Sequence, residues 1–236
     1  MATKAQALPS ETNSFASDLA GIPSFLIDPQ SAARRVFSKW FWIAPVLISS
    51  IIAVMTFKYI TPYALHAASV SAIPDGVTAE QYSKGVEIGM KVNTYLSPVF
   101  IVAVYAIEAL ILMAMSAVLG ASAKFGQLFN LVAGGGIIQS LAGLASMAIL
   151  HFKGEVSSMA ELRPAMGLDI FLPEGTNKYL MAAGSAFSVF QIWWLVMMVL
   201  IFAAAFRMSK GKSLAAIFPL WLLGLCFAFL GAAFQK

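Results

Sequence analysis

Five separate runs of about 18 to 23 apolar residues, near 41–60, 97–119, 129–150, 189–206 and 214–234, hold only one charged residue deep inside them, Glu108. A helix of that length and composition crosses a hydrocarbon core about 30 Å thick. Composition supports the same reading: 60% of the 236 residues are apolar, 11% are charged, and the mean hydropathy is +0.82. A soluble domain is nearer half apolar and a quarter charged, and an excess of this size cannot all be folded inward. A soluble globular fold, a disordered polar chain and a collagen-like fibre are therefore excluded. The expected fold is all-α, a polytopic membrane protein with five transmembrane helices.

The flanking segments give the arrangement of the spans. Residues 1–27 are rich in Ala, Ser and Thr with scattered charge, and read as a disordered cytoplasmic tail; the alternative is a partner-binding segment around Ile22, Phe25, Leu26 and Ile27. The first long apolar run begins only near Trp40, so no cleavable signal peptide is expected. The five-span membrane domain is expected to occupy 28–236. At its start, Asp28 can cap a helix whose first residue is Pro29. At 100° per residue Ala33, Val36, Phe37 and Trp40 share one face, while Arg34, Arg35, Ser38 and Lys39 share the other. This pattern predicts an amphipathic helix lying in the headgroup plane, its cations marking the cytoplasmic side. Trp40 and Trp42 at the first span, and Trp193 and Trp194 at the fourth, are expected as interfacial anchors.

With the N-terminus inside, eight cations fall on the inner side and seven on the outer, but density separates the two sides. The short inner connectors, 120–128 and 207–213, hold four cations (Lys124, Arg207, Lys210 and Lys212) in 16 residues, against six in the 77 residues of the outer connectors. Short loops carry the positive-inside rule, which favours N-in and C-out. On the outer side, Thr78-Ala-Glu-Gln81 fits a capping box opening a helix with Glu80–Lys84 and Glu87–Lys91 pairs. That helix is expected to lie over the bundle and feed the second span. The connector 151–188 contains Pro164, Gly167, Pro173 and Gly175, which break it, and 179–187 reads as an apolar helix at the outer surface.

Few residues can carry chemistry. Glu108 sits halfway along the second span, where a carboxylate costs about 2.5–3.5 kcal/mol on insertion scales and should face the bundle with a partner. It could bind a proton, a cation or a polar substrate group. With no embedded Arg, Lys or His beside it, the favoured reading is a protonated acid hydrogen-bonded to Gln139, Ser140 or Tyr105. The third span carries Gly134, Gly135 and Gly136, followed by the small-residue pairs Gly136/Ser140 and Ala142/Ser146, which let helix backbones approach closely. It is expected at the centre of the bundle. No Gly-Lys-Ser/Thr follows the triple glycine, and Gly211-Lys212-Ser213 lacks the first glycine of a nucleotide loop, so neither is a phosphate loop. The latter is instead a basic hairpin that can touch anionic lipid or an acidic partner.

One cysteine, Cys226, excludes a disulfide framework within the chain. The two histidines, His66 and His151, lack the spacing of a metal motif. No nucleophile motif or paired carboxylate suggests an enzyme, and no cofactor is expected. The net charge of +4 is assigned to membrane orientation rather than to nucleic acid.

Asp28-Pro29 with the basic turn and Trp40-Phe-Trp-Ile-Ala-Pro45 form an ordered set of motifs with Phe125-Gly-Gln127-Leu-Phe129, Phe190-Gln-Ile-Trp193-Trp-Leu-Val and Met208-Ser-Lys-Gly-Lys-Ser213-Leu-Ala. In order and spacing, over roughly 28–234, the chain resembles the Yip (Ypt-interacting protein) domain family of five-span membrane proteins, best known for contacts with Rab-type GTPases. The resemblance implies a non-enzymatic membrane protein with a cytoplasmic N-terminus. In eukaryotic relatives the role is membrane traffic and vesicle biogenesis. The short tail and lean loops are more similar to bacterial members, some of which look like accessory partners of export systems. That implies a bacterial inner membrane, with a membrane-protein partner or a homo-oligomer in addition to the bilayer. Glu108 matches no family motif. The expected function is an interaction scaffold, with a small transporter, channel or lipid-moving protein using a groove near Glu108 as the alternative.

Overall fold

The computed structural model of the chain describes residues 15–233, apart from 72, 74, 75 and 174. Its helices are α1 (Phe15–Gly21), α2 (Ser24–Ile27), α3 (Pro29–Arg35), α4 (Ile43–Val70), α5 (Ala79–Val118), α6 (Phe125–Lys153), α7 (Lys178–Ser185), α8 (Val189–Phe206) and α9 (Lys210–Ala233). Two single 3₁₀ turns, Met159–Leu162 and Leu168–Phe171, lie between α6 and α7, and no strand occurs among the described residues. The helices α4, α5, α6, α8 and α9 are long and apolar enough to cross a membrane. The fold is all-α and polytopic.

The third spanning helix, α6, is central. It lies against α4, α5 and α8, while α9 closes the bundle against α8 and α5. Every residue from Leu128 to Ile138 is buried. A helix covered on all sides must be apolar all round, which explains the run Leu-Phe-Asn-Leu-Val-Ala-Gly-Gly-Gly-Ile-Ile, whose one polar member is bonded, as shown below.

The first two spans are longer than the apolar runs suggest. α4 continues past residue 60 through Pro62 to Val70. Although proline removes one helical hydrogen bond, Thr61 Oγ1 bonds the Phe57 carbonyl at 2.7 Å, and Ala64, Ala67 and Ala68 are buried beyond it. The capping box at Thr78 and Gln81 forms in full, but its helix does not lie over the bundle. It runs on without a break as the second span, a helix of 40 residues. At 1.5 Å per residue α5 is about 60 Å long, twice the hydrocarbon thickness, so α4 and α5 project together beyond the core. The Glu87–Lys91 pair forms at 2.6 Å. In the connector between α6 and α8, α7 supplies the expected apolar helix and rests on α9.

The N-terminal segment differs most from expectation. Residues 15–27, expected within a disordered tail, are helical and packed: Phe25 is fully buried, and Ile22 and Asp18 are nearly so. Residues 1–14 lie outside the described residues. Asp28 caps α3 as expected, accepting from the Gln30 and Ser31 amides at 3.1 Å, with Pro29 first in the helix. Hydrogen bonds from the Ser31 side chain and amide hold the Asp28 carboxyl below its ordinary range. Ala32, Ala33 and Val36, however, are buried against protein, α3 lying along α8, and only Phe37 and Trp40 remain exposed for the bilayer. The segment is a wedge. Its two ends are tied where Ser38 Oγ donates to both Asp18 carboxylate oxygens at 3.2 and 3.3 Å, with Arg35 Nη1 3.8 Å away. Between those ends the chain runs along α8 from Trp193, whose Nε1 donates to the Leu26 carbonyl at 2.8 Å, to Phe206, whose ring lies 6.0 Å from that of Phe37. Thirteen helical residues separate the two contacts, about 20 Å of helix. Trp193 and Trp194 thus face protein, not the membrane boundary, and Trp194 is only 6% exposed.

Candidate functional site: a polar cavity within the bundle

The three glycines of α6 open this region, because each receives a side chain from a different element. A Cβ on Gly134 would fall on the Phe25 ring of α2, 2.5 Å from Cζ and nearer still to two other ring carbons. One on Gly135 would lie 2.5 Å from Met198 Sδ and 3.2 Å from Trp194 Nε1 of α8, and one on Gly136 would collide with the Tyr105 hydroxyl of α5. Successive helical residues point 100° apart, so three consecutive glycines clear three directions at one level. None of the three has a positive φ, so space rather than backbone freedom explains them.

Beside this notch lies a cavity of about 210 Å³ between α5, α6, α8 and α9, large enough for several water molecules. Its walls include Glu108, Gln139, Gln191, Tyr105, Trp194 and Trp221. The structure brings Glu108 and Gln139 together here but not Ser140, and none of the three expected partners bonds the carboxylate. Gln139 Nε2 donates to Gln191 Oε1 at 3.1 Å, while Ser140 Oγ and Tyr105 OH both turn to Ser49 Oγ of α4, at 2.9 and 3.4 Å. The cause is angular: one residue further along α6 is 100° further round, from the α8 side to the α4 side. Glu108 therefore borders a polar space with a glutamine pair opposite and no hydrogen bond of its own among the described residues. Such a site can take up water, a proton, or a small cationic or hydrogen-bonding group.

A second cluster, missed from sequence, is centred on Asn130, which is 2% exposed. Its Oδ1 accepts from the Trp42 amide at 3.0 Å, and its Nδ2 donates to the Val36 and Ser38 carbonyls at 3.0 and 2.5 Å. These three bonds satisfy the backbone where the chain turns from the wedge into α4. The signal was a single amide inside an otherwise apolar run, at a level where an unpaired polar group would be costly. At this same end Arg34, Lys39, Arg207, Lys210 and Lys212 are exposed, whereas Arg35 is turned toward Asp18. Arg207 ends α8 in the left-handed conformation, φ 52°, and so turns the chain directly into α9. Among the described residues no three His, Cys, Asp or Glu side chains gather in a metal-binding group.

A family model, the Yip1 domain, matches residues 24–231. Nothing matches among curated proteins or solved structures. The matched region begins in α2 and ends in α9, taking in the wedge, the glycine notch and all five spanning helices; the chain belongs to the Yip1 domain family of membrane proteins.

Proposed function

We propose that the chain is a non-enzymatic membrane scaffold with its N-terminus in the cytoplasm and its C-terminus outside, docking a partner through its basic end. The observation that carries this reading is the charge of that end. Arg34, Arg35, Lys39, Lys124, Arg207, Lys210 and Lys212 collect there, and of these seven only Arg35 stands within ion-pair distance of a carboxylate among the described residues. Unpaired cations on short connectors favour the cytoplasmic face. They also attract anionic lipid or the acidic surface of a partner, such as a component of an export system or a trafficking protein. The rigid wedge beneath holds Arg34 and Lys39 beside the α8–α9 turn, so the rim is presented as one surface. A bacterial inner membrane suits the lean loops.

The test is affinity capture from membranes solubilised in mild detergent, with the triple variant Arg207→Glu, Lys210→Glu, Lys212→Glu as control. A membrane-protein partner lost in the variant is the expected result. Recovery only as a monomer or homo-oligomer, unchanged by the variant, would overturn the reading. Orientation is checked in a Cys226→Ser background by labelling Lys210→Cys and Lys84→Cys in intact cells with an impermeant maleimide. Only the second should react.

A second reading, a small transporter, channel or lipid-moving protein, is favoured by one observation: Glu108 borders a polar cavity and has no hydrogen-bond partner among the described residues. In proteoliposomes, flux abolished by Glu108→Gln would support it, and absence of wild-type flux would remove it.

A further inference from the structure

The far end of α4 carries a second, larger cleft. α4 leaves the basic end at Ile43, so Lys58 lies about 22 Å along the helix and His66 about 34 Å. A hydrocarbon core about 30 Å thick places these residues on either side of the opposite headgroup boundary. Here a cleft of about 660 Å³ is lined by Lys58, Tyr59, Tyr63 and His66 of α4, and by Glu155 and Val156 from the chain after α6. Gly154, at φ 77°, ends α6 in a conformation that side chains disfavour and turns the chain back onto α4. Val156 is thereby buried with Ala67 and Leu150. The cleft therefore has a fixed floor.

Its charges stand apart. Lys58 and Glu155 line the same space, yet no ion pair joins them, and neither has another charged partner among the described residues. Lys153, the cation nearest Glu155 in sequence, is held by Glu161 at 2.5 Å. Beside them Tyr59 OH bonds His151 Nδ1 at 3.0 Å and meets Tyr63 OH at 3.2 Å; with His151 Nδ1–H donating to Tyr59 and Tyr59 to Tyr63, this hydroxyl row leaves the Tyr63 proton free to donate toward an anion. Solvent exposure explains why neither Lys58 nor Glu155 needs the other; what singles the cleft out is that both charges and the tyrosine hydroxyls line one space. One cation, one anion and a hydroxyl row at a headgroup boundary complement a zwitterion carrying both a phosphate and an amine.

We infer that this cleft binds the headgroup of an aminophospholipid such as phosphatidylethanolamine, its phosphate toward Lys58 and the tyrosines and its ammonium toward Glu155. The site is independent of the basic rim and of the Glu108 cavity. Native mass spectrometry of the full-length detergent-purified protein, titrated with phosphatidylethanolamine, phosphatidylcholine and phosphatidylglycerol, tests it. The wild type should retain phosphatidylethanolamine best. Lys58→Gln should bind it about tenfold more weakly, the loss expected for one charge-assisted contact. Glu155→Gln should abolish the preference over phosphatidylglycerol. Both side chains are exposed, so melting should be unchanged in both variants. Equal retention of the three lipids, or variants indistinguishable from wild type, would overturn the inference. So would displacement by millimolar inorganic phosphate without any lipid preference, which would assign the cleft to a soluble phosphate. If a variant misfolds, photoactivatable phosphatidylethanolamine crosslinked to the wild type decides: adducts should map to 58–66 and 154–156, and adducts only elsewhere would refute it.

Discussion

Replacing Gly134 by alanine is the sharpest test of the central helix. In an open helical position the change should stabilise by up to about 1 kcal/mol, the difference in helix propensity. Gly143, two and a half turns further along α6, is such a position, its added Cβ meeting only Thr56 Oγ1 at 3.6 Å. At Gly134 the same Cβ would lie 2.5 Å from Phe25 Cζ. That ring cannot retreat easily: it is fully buried and stacks on Phe41 at a centroid distance of 5.0 Å. Overpacking of this kind costs about 1–3 kcal/mol. The two variants should therefore differ by about 2 kcal/mol, with Gly143→Ala above and Gly134→Ala below wild type. For a chain of this size that is about 4–8 °C in thermal midpoint, readable by intrinsic fluorescence in detergent. Removing the obstruction supplies the internal check: in a Phe25→Ala background, Gly134→Ala should cost nothing, a coupling that only touching residues show. If both alanine variants melt together in wild-type background, or the cost persists without the Phe25 ring, α2 does not sit in the notch.

Gly135→Leu should disrupt folding far more than Gly231→Leu, because an added Cβ meets Met198 Sδ at 2.5 Å in the first case and Arg163 Nη1 at an ordinary 3.8 Å in the second; comparable melting of the two in detergent would contradict this. Asn130→Leu leaves the Trp42 amide and the Val36 and Ser38 carbonyls unpaired, and should cost about 3 kcal/mol or more. Limited proteolysis should then cut within 15–41 well before the spans melt, and equal protection would refute the assignment. In the connector after α6, hydrogen bonds from Lys153 and then Ser157 hold the Glu161 carboxyl down at about 2, against an ordinary 4.5. A depressed carboxylate contributes stability that is full above the unfolded value and is lost as pH falls toward the folded one. Protection of the 154–163 amides, taken relative to their intrinsic exchange rate at each pH, should accordingly fall between pH 4.5 and 2, and Glu161→Gln should remove that dependence.

What the sequence makes legible is whatever repeats locally. Span number, the capping box at Thr78, the Asp28-Pro29 helix start and the central place of the glycine-rich helix all follow from periodicity or from a short fixed spacing. What it hides are contacts between distant segments. Phe25 reads as one of a short apolar group, with Ile22, Leu26 and Ile27, that could bind a partner, until Gly134, more than a hundred positions away, supplies a place for its ring within the chain. Trp193 reads as a membrane-boundary tryptophan because its partner is a backbone carbonyl, Leu26, which no side-chain pattern reveals. Glu108 stands out in the sequence by its depth, yet the groups around it do not. Gln139 and Ser140 are neighbours in sequence but point 100° apart, toward α8 and α4 respectively.

The uneven packing along α6 explains why the polar cavity lies where it does. From Leu128 to Ile138 the helix is enclosed by the wedge, α4, α5 and α8, whereas from Gln139 to Ile149 no residue is fully buried. The wedge is what differs between the two halves. It enters from the basic end and stops at Phe25, filling space that spans converging on three glycines would otherwise leave open. Just past that point the spans have no such filler, and the gap between α5, α6, α8 and α9 is lined by Glu108, Gln139 and Gln191. A carboxylate at this level is tolerable because the cavity spares it contact with hydrocarbon, and the glutamine pair offers polar groups across the space. The same geometry makes the wedge and the cavity neighbours through Gly134 and Gly136, one helical turn sharing both. A change that pushes Phe25 out of its notch must therefore be felt first at Tyr105 and Trp194, the cavity walls nearest that turn, before it reaches any lipid-facing surface.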